Sequence, residues 1–104
     1  MKPTLIHITT HDLKEAEALS THLVKNKLVS CAWIVPSIHS VYTWKGKLYH
    51  DKEALVIAKT FDTKFKKIEV AIKKQHSYEV PAIVAVQITN ASKEYLDWSL
   101  EALK

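Results

Sequence analysis

The side chains with the most chemistry to offer are one thiol and six imidazoles. Cys31 is a soft ligand suited to Cu(I), and imidazole suits Cu(II) or Zn(II). Local spacing closes no site around them. There is no Cys-x-x-Cys pair and no His-x-x-x-His inside a single predicted helix. His7 and His11 straddle the end of a predicted strand. His11 and His22 can share a helix face, but helical rise separates them by roughly 16 Å, too far for one ion. Any metal site must therefore be assembled in three dimensions, within the chain or between subunits. Cys31 has a second role open to it, that of an inert core thiol. A denser cluster is His76-Ser77-Tyr78-Glu79, a polar loop ahead of the last predicted strand, where a rigid scaffold commonly presents binding residues. Imidazole and carboxylate there could hold a divalent ion or a small polar ligand. The same side chains could instead cap helix ends or bridge subunits.

Other chemistries lack their residues. The single glycine rules out a Gly-rich phosphate loop. No arginine is present to cradle an acyl phosphate, and nothing marks Cys31 and His76 as a nucleophile–base pair. No enzymatic activity is expected. The net charge of +4 comes from fifteen basic residues that are all lysine and are dispersed, with only the pairs Lys66-Lys67 and Lys73-Lys74. Without the guanidinium fork a specific nucleic-acid reader is not expected, and the lysines read as a solvated surface. No apolar run approaches the ~20 residues that span a bilayer. A lone cysteine forms no intrachain disulfide, and the N-terminal stretch has no signal-like apolar region, so a reducing, cytoplasmic setting is expected.

The elements that must position these residues can be read from period and punctuation. Leu5–Ile8 is a short β-rich run. Asp12 can cap a following helix and Glu15 complete a capping box, with Leu13, Ala16, Leu19 and Leu23 carrying one face to about Lys27. Val29–Val35 and, after Pro36, Ile38–Trp44 are β-branched and aromatic. Lys45-Gly46-Lys47 reads as a hairpin loop with Gly46 at positive φ. The return strand begins near Leu48 and becomes the apolar run Ala54–Ala58, which should be covered on both faces and therefore central. A second helix, with Asp62 as its cap, is marked by Phe61, Phe65, Ile68 and Ile72, spaced by four, three and four. Val80 to Thr89 reads as the last strand, with Pro81 at its start. Ser92 caps a final helix bearing Leu96, Leu100 and Leu103. The order βαββαβ plus one helix predicts a single α+β domain over residues 1–104, ferredoxin-like, with an antiparallel sheet and an extra C-terminal helix.

The hairpin from Val29 to Thr60 is too long for such a body. Its first strand could reach roughly 50 Å at strand rise. A domain of this length is about 30 to 35 Å across. The overhanging tip carries Tyr42, Trp44 and Tyr49 beside open backbone groups, which predicts an oligomer that covers it, with Pro36 bending the strand where it leaves its own sheet.

Several motifs in order carry a family resemblance. They are Leu28–Ala32, Ser40–Lys47, Glu53, Lys59-Thr60, His76–Pro81 and Tyr95–Trp98. Together they resemble the CutA family of divalent-cation tolerance proteins along essentially the whole chain. The resemblance implies a homotrimer joined through the long hairpins, connected with tolerance of copper and other divalent metal ions. Together with the soft and imidazole ligands above, it makes binding of copper or another divalent ion the leading expectation, with Cys31, His76 and Glu79 as the candidate ligands. It also places Trp44, Glu53 and Lys59 with Tyr78 in an intersubunit ligand-binding cleft. Lys59 would there either pair with Glu53 or Glu79 or meet a ligand anion. A likeness of assembly to PII signalling proteins leaves a second reading, a trimeric small-ligand sensor or interaction module without catalytic activity. The chain carries Trp33 where the family often has asparagine, and Ser77 where it often has proline.

Overall fold

In a computed structural model describing residues 1–104, strand alternation decides which side chains enter the core. Along β1 (Pro3–Thr10) every second residue is buried, so Thr4, Ile6, Ile8 and Thr10 face inward. Strand β3 (Lys47–Phe61) does the same with Ala54, Val56, Ala58 and Thr60. The helices α1 (Leu13–Lys25) and α2 (Phe65–Gln75) cover that face with Ala16, Leu19 and Leu23, and with Ile68 and Ile72. Each fully buried isoleucine contributes roughly 1.5–3 kcal/mol relative to exposure.

The sheet runs β2-β3-β1-β4, every neighbour antiparallel, with β2 at Cys31–Trp44 and β4 at Ile83–Gln87. This is the expected ferredoxin-like arrangement, and β3 lies inside the sheet as expected, but the helices cover only one of its faces: Leu55 and Ile57 on the other are half-buried, not enclosed. The extra helix α3 (Lys93–Ala102) is present, capped by Ser92, whose Oγ accepts the Tyr95 N–H. It docks at the start of β2, where the Ser99 hydroxyl donates to Ser30 Oγ at 2.6 Å in a buried setting.

Three local expectations need correction. Asp62 does not cap α2. It opens one turn of 3-10 helix (Asp62–Lys64), and its carboxylate accepts the Lys2 N–H at 2.8 Å, closing the chain start onto the end of β3. Helix α1 stops at Lys25 rather than Lys27. The Leu28 N–H bonds back to the Leu23 carbonyl and Lys27 takes φ 56°, a left-handed termination of the Schellman type. The last strand is only Ile83–Gln87. Residues 80 to 82, with Pro81 lacking an N–H to share, stay outside the ladder.

Beyond the body, β2 and β3 continue together. Val35 faces Leu55 and Ile38 faces Glu53, so the two residues Pro36 and Ser37 oppose one: a β-bulge at the expected bend. The pairing then runs to Trp44 and Lys47, and the loop is the two residues Lys45 and Gly46, at φ 51° and 78°. Two positive φ values in a two-residue loop match a type I′ turn. The overhang stretches the molecule to 45 × 25 × 23 Å.

Candidate functional site

Where the hairpin leaves the body, it forms one wall of a cleft of about 650 Å³; the chain around Ser77 to Ala82 forms the other. Tyr42, Trp44 and Glu53 come from the hairpin and Ser77, Tyr78 and Glu79 from the loop. Glu53 is the most enclosed of these, at 8% exposure. Its Oε2 accepts the Tyr78 hydroxyl at 2.6 Å, a charge-assisted bond that ties loop to hairpin. Burial, and then this bond, push the Tyr78 phenol above its ordinary range, so it remains a donor. On the hairpin the Tyr42 hydroxyl donates to Asp51, and that bond is the main reason the Tyr42 phenol is pushed up to about 12.

The loop has its own fixings. His76 Nε2–H donates to the Thr9 carbonyl at 2.7 Å, and Nδ1 accepts the Tyr78 N–H at 3.0 Å. These bonds define the Nε2–H tautomer and occupy both ring nitrogens, leaving no lone pair for a metal. The His76 ring also lies against Tyr78, centroids 4.7 Å apart. Glu15 supplies the second anchor. One carboxylate oxygen accepts the His11 N–H and the Ser77 hydroxyl, and the other accepts the Ser77 N–H. Burial raises the Glu15 carboxyl, but these donated bonds together outweigh it and leave the group below its usual range. Asp12 caps α1 as expected. Glu15, expected to close a capping box on the Asp12 N–H, takes the His11 N–H one residue earlier instead, and its carboxylate also fixes the loop. The only sequence signal for this was its place at the third residue of the helix.

The remaining predicted residues lie elsewhere. Cys31 pairs in register with Lys59, which pairs with Leu5, four residues along β1 from Thr9. Strand rise and spacing put roughly 16 Å between Cys31 and the strand end that His76 holds. Cys31, His76 and Glu79 therefore do not converge within one chain. No group of three His, Cys, Asp or Glu side chains does. Lys59 is also outside the cleft, six residues or about 20 Å along β3 from Glu53. Instead of pairing with a carboxylate, its ammonium sits 3.3 Å from the centroid of the Trp33 ring and 5.3 Å from that of Tyr95. Trp33 thus gives Lys59 a partner that no sequence spacing announced.

Fold and site together define a ferredoxin-like domain with an elongated hairpin and an acidic, aromatic-walled cleft at its root. The chain belongs to the CutA1 divalent ion tolerance protein family, whose model matches residues 4–102. It is 37% identical over 97 residues to the divalent-cation tolerance protein CutA of Thermus thermophilus, covering 93% of this chain and 94% of that one. Against the chloroplastic CutA protein of Arabidopsis thaliana it is 35% identical and spans 52% of that protein's length. Among solved structures, the periplasmic divalent cation tolerance protein CutA of Archaeoglobus fulgidus superposes with a TM-score of 0.95. Identity there is 36%, with 98% of this chain and 99% of that one covered.

Proposed function

We propose that this protein acts in divalent-cation tolerance by binding the cation itself, as a homotrimer, in the cleft between hairpin and loop. One observation carries the reading. In a chain with fifteen lysines, the cleft is lined by Glu53 and Glu79 and by no lysine at all. Two carboxylates without a local counter-cation favour a divalent ion in their place. His76 acts here as a positioning residue. Copper remains the first ion to test, alongside zinc. Cys31 enters only if a second subunit brings it to the cleft. The chemistry asked of the site is binding rather than catalysis.

The uncovered face of the sheet supports the trimer. Leu5, Leu55 and Ile57 are half-buried there, and Trp33, Val84 and Val86 are 42 to 53% exposed. An apolar face of this kind, continuous with an aromatic overhang, is suited to packing against copies of itself. A free thiol in Cys31 fits a reducing, cytoplasmic setting. A second reading, a sensor of a small organic cation, is favoured by Tyr42, Trp44 and Tyr78, since aromatic faces attract cations.

Calorimetric titration of Cu(II) and Zn(II) into wild type, Glu79→Gln and His76→Ala tests the first reading. Losing Glu79 should weaken binding at least tenfold, the lower bound for losing even an outer partner of a metal. Unchanged affinity in Glu79→Gln removes the cleft as the site. Sedimentation of the same samples should give three chains per particle.

A further inference from the structure

Two of the six histidines meet on the hairpin, on the face turned away from the cleft. Alternation beyond the bulge puts Ser40, Tyr42 and Trp44 on one face with Asp51 and Glu53. His39, Val41, His50 and Lys52 lie on the other. There His39 Nε2 and His50 Nδ1 approach to 3.0 Å, with the rings edge to face and centroids 5.3 Å apart. Both residues are exposed, and neither remaining ring nitrogen has a protein partner.

From this geometry we infer that His39 and His50 form a two-imidazole binding site for a late first-row divalent cation, Cu(II) first and Ni(II) second. The metal–nitrogen distance in such sites is about 2.0–2.1 Å. Two nitrogens 3.0 Å apart, each at that distance, subtend an angle of about 94° at the ion. That is the cis angle of a tetragonal site, closer to the preference of Cu(II) or Ni(II) than to tetrahedral zinc. The donors are both imidazole, with no carboxylate on this face near them, which disfavours calcium and magnesium.

The protons balance without loss. At present one ring N–H donates to the other ring across the 3.0 Å gap. When the ion enters, the donating ring shifts its proton to its outer, solvent-facing nitrogen, and both inner lone pairs turn to the metal. Water fills the other coordination positions. Lys52 stands opposite His39 in register and opposes a cation, but its charge sits on a flexible stem that can swing into solvent. The strand ladder on both sides of the pair holds its spacing, so little order has to be created on binding.

This site does not depend on the cleft reading, and the experiment separates them. Cu(II) and Ni(II) are titrated into wild type, His39→Gln, His50→Gln, Glu79→Gln, Cys31→Ser and His22→Gln. Continuous-wave EPR of the Cu(II) samples counts the coordinated nitrogens. Loss of either imidazole turns a chelate into a single ligand, with an expected drop in affinity on the order of 100-fold. The Glu79, Cys31 and His22 variants should leave the two-nitrogen signal intact. In wild type, paramagnetic broadening should centre on the amides of His39, His50 and Lys52, a readout that needs no variant to fold. Wild-type affinity in both His39→Gln and His50→Gln overturns the site. So does broadening centred on Glu53 and Glu79, or a two-nitrogen signal that disappears with Cys31→Ser.

Discussion

The body and the overhang of this domain are made of the same two strands and meet opposite fates at Pro36 and Ser37. On the body side, alternate residues of β3 such as Val56 and Ala58 are at 0% exposure under two helices. On the overhang side, Val41 and Leu48 are 57% and 62% exposed, and order comes from pairs across the hairpin. Tyr42 stacks on Tyr49 at 5.6 Å, His39 meets His50, and Lys45 approaches the Trp44 ring. Alternation in a sequence thus marks two faces of a strand, but whether anything covers a face is decided by the rest of the fold. The bulge is the boundary between a region stabilised by burial and one stabilised by contacts worth roughly 0.2–1 kcal/mol each.

The strongest way to break that contrast is to remove one side chain from each region. Ile72→Ala empties a fully buried position and should cost about 2–5 kcal/mol in urea denaturation. Tyr49→Ala removes a half-exposed stacking partner and should cost about 0.5–1.5 kcal/mol. Its effect should also grow with protein concentration if subunits cover the overhang. Equal losses at the lowest concentration that can be measured would show that the overhang is as tightly coupled to the core as α2 is.

Glu15 joins the two regions through the cleft loop, and its charge makes the join sensitive to pH. Glu15→Gln should cost about 1–2 kcal/mol near neutrality, the low end for hydrogen bonds to a charged group because this one is partly solvated. The sign follows from its lowered carboxyl. The ionised form is favoured in the folded state, so the stabilisation is present above the ordinary glutamate range and is lost as pH falls through the depressed folded value. Denaturation midpoints of wild type and variant should therefore converge on acidification below about pH 4. A gap that stays constant down to pH 2 would mean that the carboxylate charge contributes nothing.

How much of this was legible beforehand depends on the range of the interaction. Element order, the central position of β3, the hairpin loop at Gly46 and the bend at Pro36 follow from local rules and were readable. The resemblance implied a cleft between subunits holding Trp44, Glu53, Lys59 and the His76–Glu79 loop; within the chain Trp44, Glu53, Tyr78 and Glu79 do line one groove, without Lys59. The partners of Asp62, His76 and Lys59 were not. Asp62 bonds Lys2 across sixty positions, His76 bonds a backbone carbonyl at Thr9, and Lys59 takes the face of Trp33. Backbone N–H and carbonyl groups and aromatic faces have no mark in a sequence, so Asp62 was expected to cap the second helix, His76 to meet an ion or cap a helix end, and only Lys59 to pair with a carboxylate. The His39–His50 pair escaped for a related reason. The two are eleven positions apart, and only the register set by the bulge and a two-residue loop brings them together.

That same loop gives the smallest and sharpest test of the contrast. Gly46 sits at φ 78°, and a Cβ built on it would meet nothing within 4 Å. Any cost of Gly46→Ala is therefore backbone strain alone, of order 1 kcal/mol. Lys45 already bears such strain at φ 51°, and Lys45→Asn should relieve part of it, since asparagine tolerates this region and Asn-Gly favours the type I′ turn. The exposed Lys45–Trp44 contact, worth about 0.5 kcal/mol, is lost in exchange, so the net gain should be only a few tenths. What matters is where these small changes are felt. If the overhang frays independently of the body, they alter amide exchange between Ser40 and Asp51 and leave the global midpoint unmoved. If neighbouring subunits clamp the overhang, the tip cannot open alone, and the full strain of Gly46→Ala appears in global stability.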